Sequence, residues 1–184
     1  MQLIRCTQKL LKAIGIKKAD ILVSDPAFSY LGSWHANLLI IDRKKCVLFT
    51  NDKTLINFIV PGIKKAQFKD LKEIFLMNLE SFLIQENISD KTILKVLNEY
   101  SELNFSTTNS KTVLGAMNDL GFHYKHHILY DGGFKFANIN EIIHMLNYMP
   151  MGPLKYRFSI DAFIELYPGE TRQEQYLFPS NSEE

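Results

Sequence analysis

The amino-acid sequence predicts an α+β fold, in which a small, mostly antiparallel sheet with a central β-hairpin is packed by several helices. Two apolar runs, residues 35–42 and 46–51, enclose a short charged turn, which is the pattern of a hairpin. Both runs are apolar at successive positions, as is typical of strands that are covered on both faces and central in their sheet. Strands do not alternate regularly with helices along the chain, so a doubly wound parallel sheet is not expected.

The chain begins with a predicted strand and a predicted helix. Residues 2–6 form a short apolar run that is typical of a strand. Thr7 is suited to cap a helix over 8–14, and the glycine that follows this stretch is suited to end it. The apolar, β-branched stretch 19–24 fits a second short strand.

Three helices are predicted between the hairpin and residue 102. Asp52 is suited to cap a short helix over 53–60, which a Pro-Gly pair then stops. Residues 70–85 carry apolar side chains on one stripe, and their first aspartate with a glutamate three positions on approximates a capping box. Residues 90–102 show a similar amphipathic pattern.

The remaining elements are a strand over 103–107 and three further helices. The first of these helices, capped by Asn109 or Ser110, is predicted to run to about residue 128 and is followed by Asp-Gly-Gly. Asn138 is suited to cap the second, which two prolines end, and residues 159–166 fit a last short helix.

Composition indicates one domain over residues 1–168 and a polar tail over 169–184, since no linker divides the 184 residues. A net charge of +1 argues against a dedicated nucleic-acid binder, because phosphate contacts usually require a basic excess. Cys6 and Cys46 each lie in an apolar run and are expected to be reduced and buried. Without a signal-peptide pattern or a membrane-spanning stretch, a cytoplasmic protein with no membrane partner is predicted.

Polar side chains are predicted to gather at one end of the hairpin. If residues 43–45 form the turn, Asn37 lies opposite Asn51 and His35 lies opposite Lys53. The corner then contains Trp34, His35, Asn37, Asn51 and Asp52. We expect His35 to act there as a catalytic acid or base and the other four side chains to bind ligand.

The long helix over 110–128 supplies a second set of candidates. Asn109 and Ser110 at its start could bind an anion through free backbone N–H groups, or could simply cap the helix. Further along lie Asn118, a candidate ligand-binding residue, and then Asp119 and His123. Three interpretations of the last two stay open. They form a surface hydrogen bond, or Asp119 orients a catalytic or substrate-binding His123, or His123 joins His127 in a metal site that has no evident third ligand.

Four segments carry a resemblance to a known family. They are Met1 to Thr7, Leu31 to Leu39, Cys46 to Asp52 and Thr108 to Asp119. The sequence over about residues 1–130 resembles a bacterial family catalogued only as a domain of unknown function. The resemblance implies a bacterial cytoplasmic protein and implies no activity.

Two classes of function are favoured by these observations, and nucleic-acid binding through clustered lysines is a third, weaker hypothesis. In the first, the polar residues converge on a pocket in which amides and a histidine bind a small polar ligand or act on it. In the second, the chain is a non-enzymatic interaction protein, such as a regulator or a component of a toxin–antitoxin or defence system, that binds a protein partner through its surface. The sequence indicates no cofactor, substrate, reaction class or oligomeric state.

Overall fold

The structure is a computed structural model that describes residues 1–16, 21, 29–167 and 169. The strand predicted over 19–24 lies outside the described residues except for position 21. The polar tail predicted over 169–184 lies outside them except for position 169.

The described chain contains seven strands, six α-helices and two 3₁₀ helices. In chain order they are β1 (Gln2–Cys6), α1 (Gln8–Ile14), β2 (Trp34–Ile41), β3 (Lys44–Asn51), β4 (Asn57–Val60), a 3₁₀ helix (Lys65–Asp70), α2 (Leu71–Gln85), α3 (Asp90–Glu99), β5 (Leu103–Thr107), α4 (Lys111–Tyr130), α5 (Ile139–Asn147), β6 (Pro150–Met151), a 3₁₀ helix (Gly152–Leu154), β7 (Arg157–Phe158) and α6 (Ser159–Ile164). No helix of the described part is long and apolar enough to cross a membrane.

Five strands form one sheet in the order β4-β3-β2-β1-β5. The hairpin β2–β3 has eight paired positions, and β3 pairs further with β4, both in antiparallel fashion. The predicted α+β fold with a central hairpin is therefore confirmed. The sheet is nevertheless mixed, because β1 runs parallel to both β2 and β5.

Each face of the sheet is covered by a long helix. On one face an aromatic cluster of Trp34, Phe49 and Phe58 packs against Phe75 of α2, with ring centroids 5.2–5.9 Å apart. On the other face α4 packs on β2 and β3. There the missing side chain of Gly121 allows a Leu39 methyl group to approach to 3.3 Å from the position that a Cβ would take.

The predicted turn of the hairpin is wrong. Asp42 and Arg43 form a two-residue turn, with φ of 44° and 59°, which is the left-handed pair typical of tight hairpins. The Asp42 carboxylate also accepts a hydrogen bond of 3.1 Å from the Phe134 N–H, which holds the turn against the segment that follows α4. As a result Asn37 lies opposite Leu48 instead of Asn51. His35 lies opposite Thr50 instead of Lys53, which is the same shift of three positions.

The helix predicted over 53–60 is also wrong, because this stretch is a turn followed by strand β4. Asn51 explains the difference. Its Oδ1 accepts hydrogen bonds from the N–H groups of Lys53 and Thr54 and from the Thr54 hydroxyl. These bonds close a turn that leaves Leu55 at a φ of 57°. The chain then re-enters the sheet along β3 instead of coiling.

The longer predicted helices are confirmed, although some details of their ends differ. α2 covers the predicted stretch, but the Asp70 side chain makes no capping bond and a 3₁₀ turn leads into the helix. α3 ends three residues before the predicted 102 and is capped by Ser89. Ser110 and Asn138 cap α4 and α5 by accepting hydrogen bonds from backbone N–H groups three positions on.

Candidate functional site

A row of buried polar side chains crosses the sheet beneath α4. Strand register places one such residue on each of the five strands. From edge to edge they are Ser106, Arg5, His35, Thr50 and Asn57, and none is more than 8% exposed. Burying a continuous row of polar side chains is costly unless they are hydrogen-bonded, so the partners of each side chain indicate its role.

His35 lies at the centre of this row and is held by a carboxylate. Its Nδ1–H donates to Asp52 Oδ1 at 2.6 Å, and Arg5 Nε donates to the other oxygen at 3.3 Å. The ring is fully buried, whereas the Asp52 side chain is 21% exposed. The network therefore links β1, β2 and the residue that follows β3, and its most exposed member is Asp52.

Two atoms next to this network lack a hydrogen-bond partner among the described residues. They are His35 Nε2 and Thr50 Oγ1, which belong to directly opposed residues of the hairpin. A histidine whose Nδ1 is held by a carboxylate presents a defined Nε2, as in general-base arrangements. Full burial of both side chains keeps that nitrogen away from solvent in this conformation.

Trp34 and Asn51, predicted as ligand-binding residues of the same corner, are engaged inside the fold. The indole N–H of Trp34 donates to the Tyr100 hydroxyl at 2.7 Å, and that hydroxyl donates to the Gly32 carbonyl at 2.7 Å. The Asn51 amide donates to the backbone carbonyls of Leu31 and Ser33. Their burial and these hydrogen bonds to neighbouring segments both favour a structural role for the two side chains.

Asn37, Asn109 and Ser110 share no hydrogen bond with the His35 network among the described contacts. The Asn37 side-chain carbonyl accepts a 2.9 Å hydrogen bond from the Thr7 hydroxyl, just beyond the end of β1. Ser110 caps α4, and Asn109 is exposed in the loop before it. Because β1 and β5 are parallel and end side by side, this loop and Thr7 lie at the same edge of the sheet. These residues form a polar edge distinct from the His35 network.

Asp119 and His123 line a groove on the outer side of α4. The groove has a volume of about 330 Å³, and its far wall is formed by residues 149–153. Ala116 and Phe122 complete the helical wall. Asp119 is exposed and His123 half-buried, and no hydrogen bond joins them in the described structure. Asn118 is exposed on the same helix and does not line the groove.

Three histidines follow one another along this part of α4. The rings of His123 and His127 stack with centroids 6.4 Å apart, and the ring of His126 lies 5.3 Å from that of His127. Burial, followed by the proximity of His126 and His123, lowers the pKa of His127 below its usual 6.5. Within the described residues no cluster of three or more His, Cys, Asp or Glu side chains could hold a metal ion.

The structure thus divides the predicted site residues into separate groups. His35 and Asp52 share a buried network whose third member, Arg5, sequence reasoning missed. The alternation of side chains along a strand could have predicted which face of the sheet Arg5 lies on, but not that it lies beside Asp52. The wall of the groove opposite Asp119 was missed as well, because its two prolines indicated only the end of a helix.

The chain belongs to the family described as Domain of unknown function (DUF6933), which matches residues 3–162. This confirms the resemblance carried by the four sequence segments and extends it beyond residue 130. No curated protein and no solved structure matches the chain. Family membership therefore leaves the function to be argued from the geometry.

Proposed function

We propose that this chain is a bacterial cytoplasmic protein that binds a small ligand, with a cationic group and an apolar body, in the groove between α4 and residues 149–153. The observation that carries the proposal is the combination in one groove of a carboxylate, an imidazole and an aromatic ring. The bacterial origin rests on the family resemblance. The compartment rests on two buried cysteines that are free thiols.

The chemistry of the groove favours a cation. Asp119 supplies a carboxylate that can accept hydrogen bonds from an ammonium group. Phe122 lines the same groove, and an aromatic ring can attract a cationic group. His123 can donate or accept one more hydrogen bond. Met149, Pro150 and the residues that follow give the apolar wall against which a hydrocarbon body would pack.

The size of the groove limits the ligand. Its volume of about 330 Å³ lies near the lower end of the range of about 300–1,000 Å³ for small-molecule sites. It therefore suits a small amine rather than a nucleotide. Because the groove opens to solvent, the ligand can enter without movement of the sheet.

Acid–base chemistry at His35 is the second candidate function. It is favoured by the unpartnered Nε2 of His35 beside the unpartnered Thr50 hydroxyl, with Asp52 holding the other ring nitrogen. Both side chains are fully buried, so a substrate would reach this point only if the segments that cover them moved. The groove requires no such movement, and for that reason it is preferred.

An NMR titration of the amide resonances with phenethylamine tests the proposal, with phenylacetate as the probe of opposite charge. We expect saturable shifts in α4 and residues 149–153 with the amine only, at millimolar affinity. Asp119→Asn removes one exposed charge pair of about 1 kcal/mol and should weaken binding about fivefold. Asp131→Asn, an exposed carboxylate outside the groove lining, is the matched control and should bind as the unchanged chain does.

Equal shifts with the amine and phenylacetate, or no saturable shift with either, would show that the groove does not select cations. Shifts confined to the strands around His35 would instead support the second candidate. Loss of binding in the Asp131→Asn control to the same extent as in Asp119→Asn would also contradict the assignment.

A further inference from the structure

The outer face of α4 exposes three large apolar side chains, of which only Phe122 also lines the groove. Phe122 is 68% exposed, Leu129 46% and Tyr130 81%. With Lys125 and His126 they frame an open depression of about 410 Å³. Large apolar side chains grouped on one helical face mark a surface that another molecule covers.

The residues of this face follow the spacing of a helix–helix seam. Gly115, Asn118, Phe122, Lys125 and Leu129 are separated by three, four, three and four positions. Side chains with this spacing form one stripe along a helix, so a second helix can lie along them. All five are exposed.

The stripe is complementary to itself when two copies of α4 run antiparallel with Phe122 facing Phe122 at the two-fold axis. In this arrangement Asp119 of each copy faces Lys125 of the other. Gly115 and Leu129 are each seven positions from Phe122, so Gly115 of each copy faces Leu129 of the other. A two-fold interface requires this property. Where residue i of one copy contacts residue j of the other, residue j of the first copy also contacts residue i of the second.

The pairing matches both charge and shape. Two Asp119–Lys125 pairs form, one on each side of the axis, between Lys125 of the stripe and Asp119 beside it. Apart from the flanking residues and the backbone of α4 itself, no atom of the described chain lies within 4 Å of the position that a Cβ would occupy at Gly115, which leaves room for a leucine of the other copy. Phe122 of each copy packs on its equivalent, and this removes a large exposed ring at the centre of the stripe from water.

We propose that the chain forms a two-fold homodimer through antiparallel pairing of α4 with α4 of a second copy, centred on Phe122. α4 has 20 residues and is therefore about 30 Å long. An interface one helix wide lies at the small end of specific interfaces, so we expect a dimer that dissociates on dilution. The pairing uses Asp119 and Phe122, which also line the groove, so a second copy and a ligand in the groove compete for these two side chains.

Analytical ultracentrifugation of the full chain tests the dimer, with variants in which the charge of Asp119 or of Lys125 is reversed. We expect a concentration-dependent dimer for the unchanged chain. Asp119→Lys and Lys125→Asp should each be monomeric, since each places like charges opposite each other twice. Lys95→Asp, at an exposed position of α3, is the matched control and should dimerise normally.

Mixing the two charge-reversed variants tests the antiparallel register. An equimolar mixture of Asp119→Lys and Lys125→Asp should form a heterodimer. In this heterodimer the introduced lysine faces the introduced aspartate on one side of the axis, and a native aspartate faces a native lysine on the other. Both charge pairs are then restored, although neither variant can form them alone.

A monomer at all concentrations up to about 200 µM would overturn the proposal, because it would leave less than about 5 kcal/mol for the association. So would a dimer that persists unchanged in Lys125→Asp, since it would have to use another surface. If the two single variants remain monomeric when mixed, the antiparallel register is wrong. Each variant is changed only at exposed side chains, and its far-ultraviolet circular dichroism should match that of the unchanged chain.

Discussion

Neutralising Asp52 should destabilise the fold more than neutralising any exposed carboxylate. Its two oxygens accept hydrogen bonds from His35 Nδ1 at 2.6 Å and from Arg5 Nε at 3.3 Å. Asp52→Asn keeps the shape of the side chain and removes its charge. Arg5, whose side chain is only 10% exposed, then keeps a positive charge without its carboxylate.

The size of the effect follows from these contacts. A hydrogen bond to a charged group contributes about 1.5–3 kcal/mol and a neutral one about 0.5–1.5, so the bond that the amide oxygen retains loses about 1 kcal/mol. The amide NH2 group cannot accept the second bond, and the loss of that bond adds about 2 kcal/mol, less than for a deeply buried pair because Asp52 itself is partly exposed. The expected loss is about 3 kcal/mol. For a chain of this length it corresponds to a fall in melting temperature of about 6–12 °C.

Thermal and urea unfolding followed by circular dichroism would measure this loss. Asp70→Asn is the matched control, because Asp70 is exposed and its side chain makes no capping bond. It should change the free energy of unfolding by less than about 0.5 kcal/mol. A double-mutant cycle with Arg5→Met and Asp52→Asn should give a coupling energy of about 1–2 kcal/mol.

The reasoning is refuted if Asp52→Asn unfolds within about 0.5 kcal/mol of the unchanged chain. It is also refuted if the effects of Arg5→Met and Asp52→Asn are additive, since the two side chains would then not share the network. A large loss in the Asp70→Asn control would show that general charge, rather than the hydrogen bonds of Asp52, sets stability.

Two further predictions concern titratable side chains. Burial raises the pKa of both Cys6 and Cys46, so neither thiol should react with Ellman's reagent in the native chain, and both should react in guanidinium. Rapid reaction of either thiol under native conditions would contradict their burial. The pKa of His127 is lower in the folded chain than its usual 6.5, so the unfolded chain binds the proton first and stability falls as pH falls from 6.5 toward the lowered value. His127→Gln should make the decline in unfolding free energy between about pH 7 and 5 shallower, and an unchanged decline would show that His127 does not contribute to it.

Local signals in the sequence were sufficient to predict the elements that depend on neighbours along the chain. The stop at Asp131 and the caps at Ser110 and Asn138 involve residues three or four positions apart, and the structure confirms them. β4 was missed because the residues after Asn51 resemble a capped helix in sequence. In the structure the side chain of Asn51 closes a turn instead, and β4 follows it. Local propensity gives way to such a side chain when the following segment can also pair with a strand.

The non-local parts could not be predicted from one sequence. β1 lies between β2 and β5, and the pairing of Arg5 with Ser106 joins segments that are far apart along the chain. Likewise, residues 149–153 form one wall of the groove beside Asp119, although nothing in their composition indicates a site. Which segments meet in such cases depends on how the whole chain packs.

The error in the hairpin turn explains why the predicted corner divides in the structure. Opposed residues of an antiparallel pair share one face, and a shift by an odd number of positions moves a side chain to the other face. The shift of three places Asn51 with Trp34 on the face covered by α2, whereas His35 and Asn37 lie on the face covered by α4. The two amides therefore cannot act together on one ligand. His35 is fully buried, whereas Asp119, Phe122 and Lys125 on the outer surface of α4 are open to a ligand or a second copy.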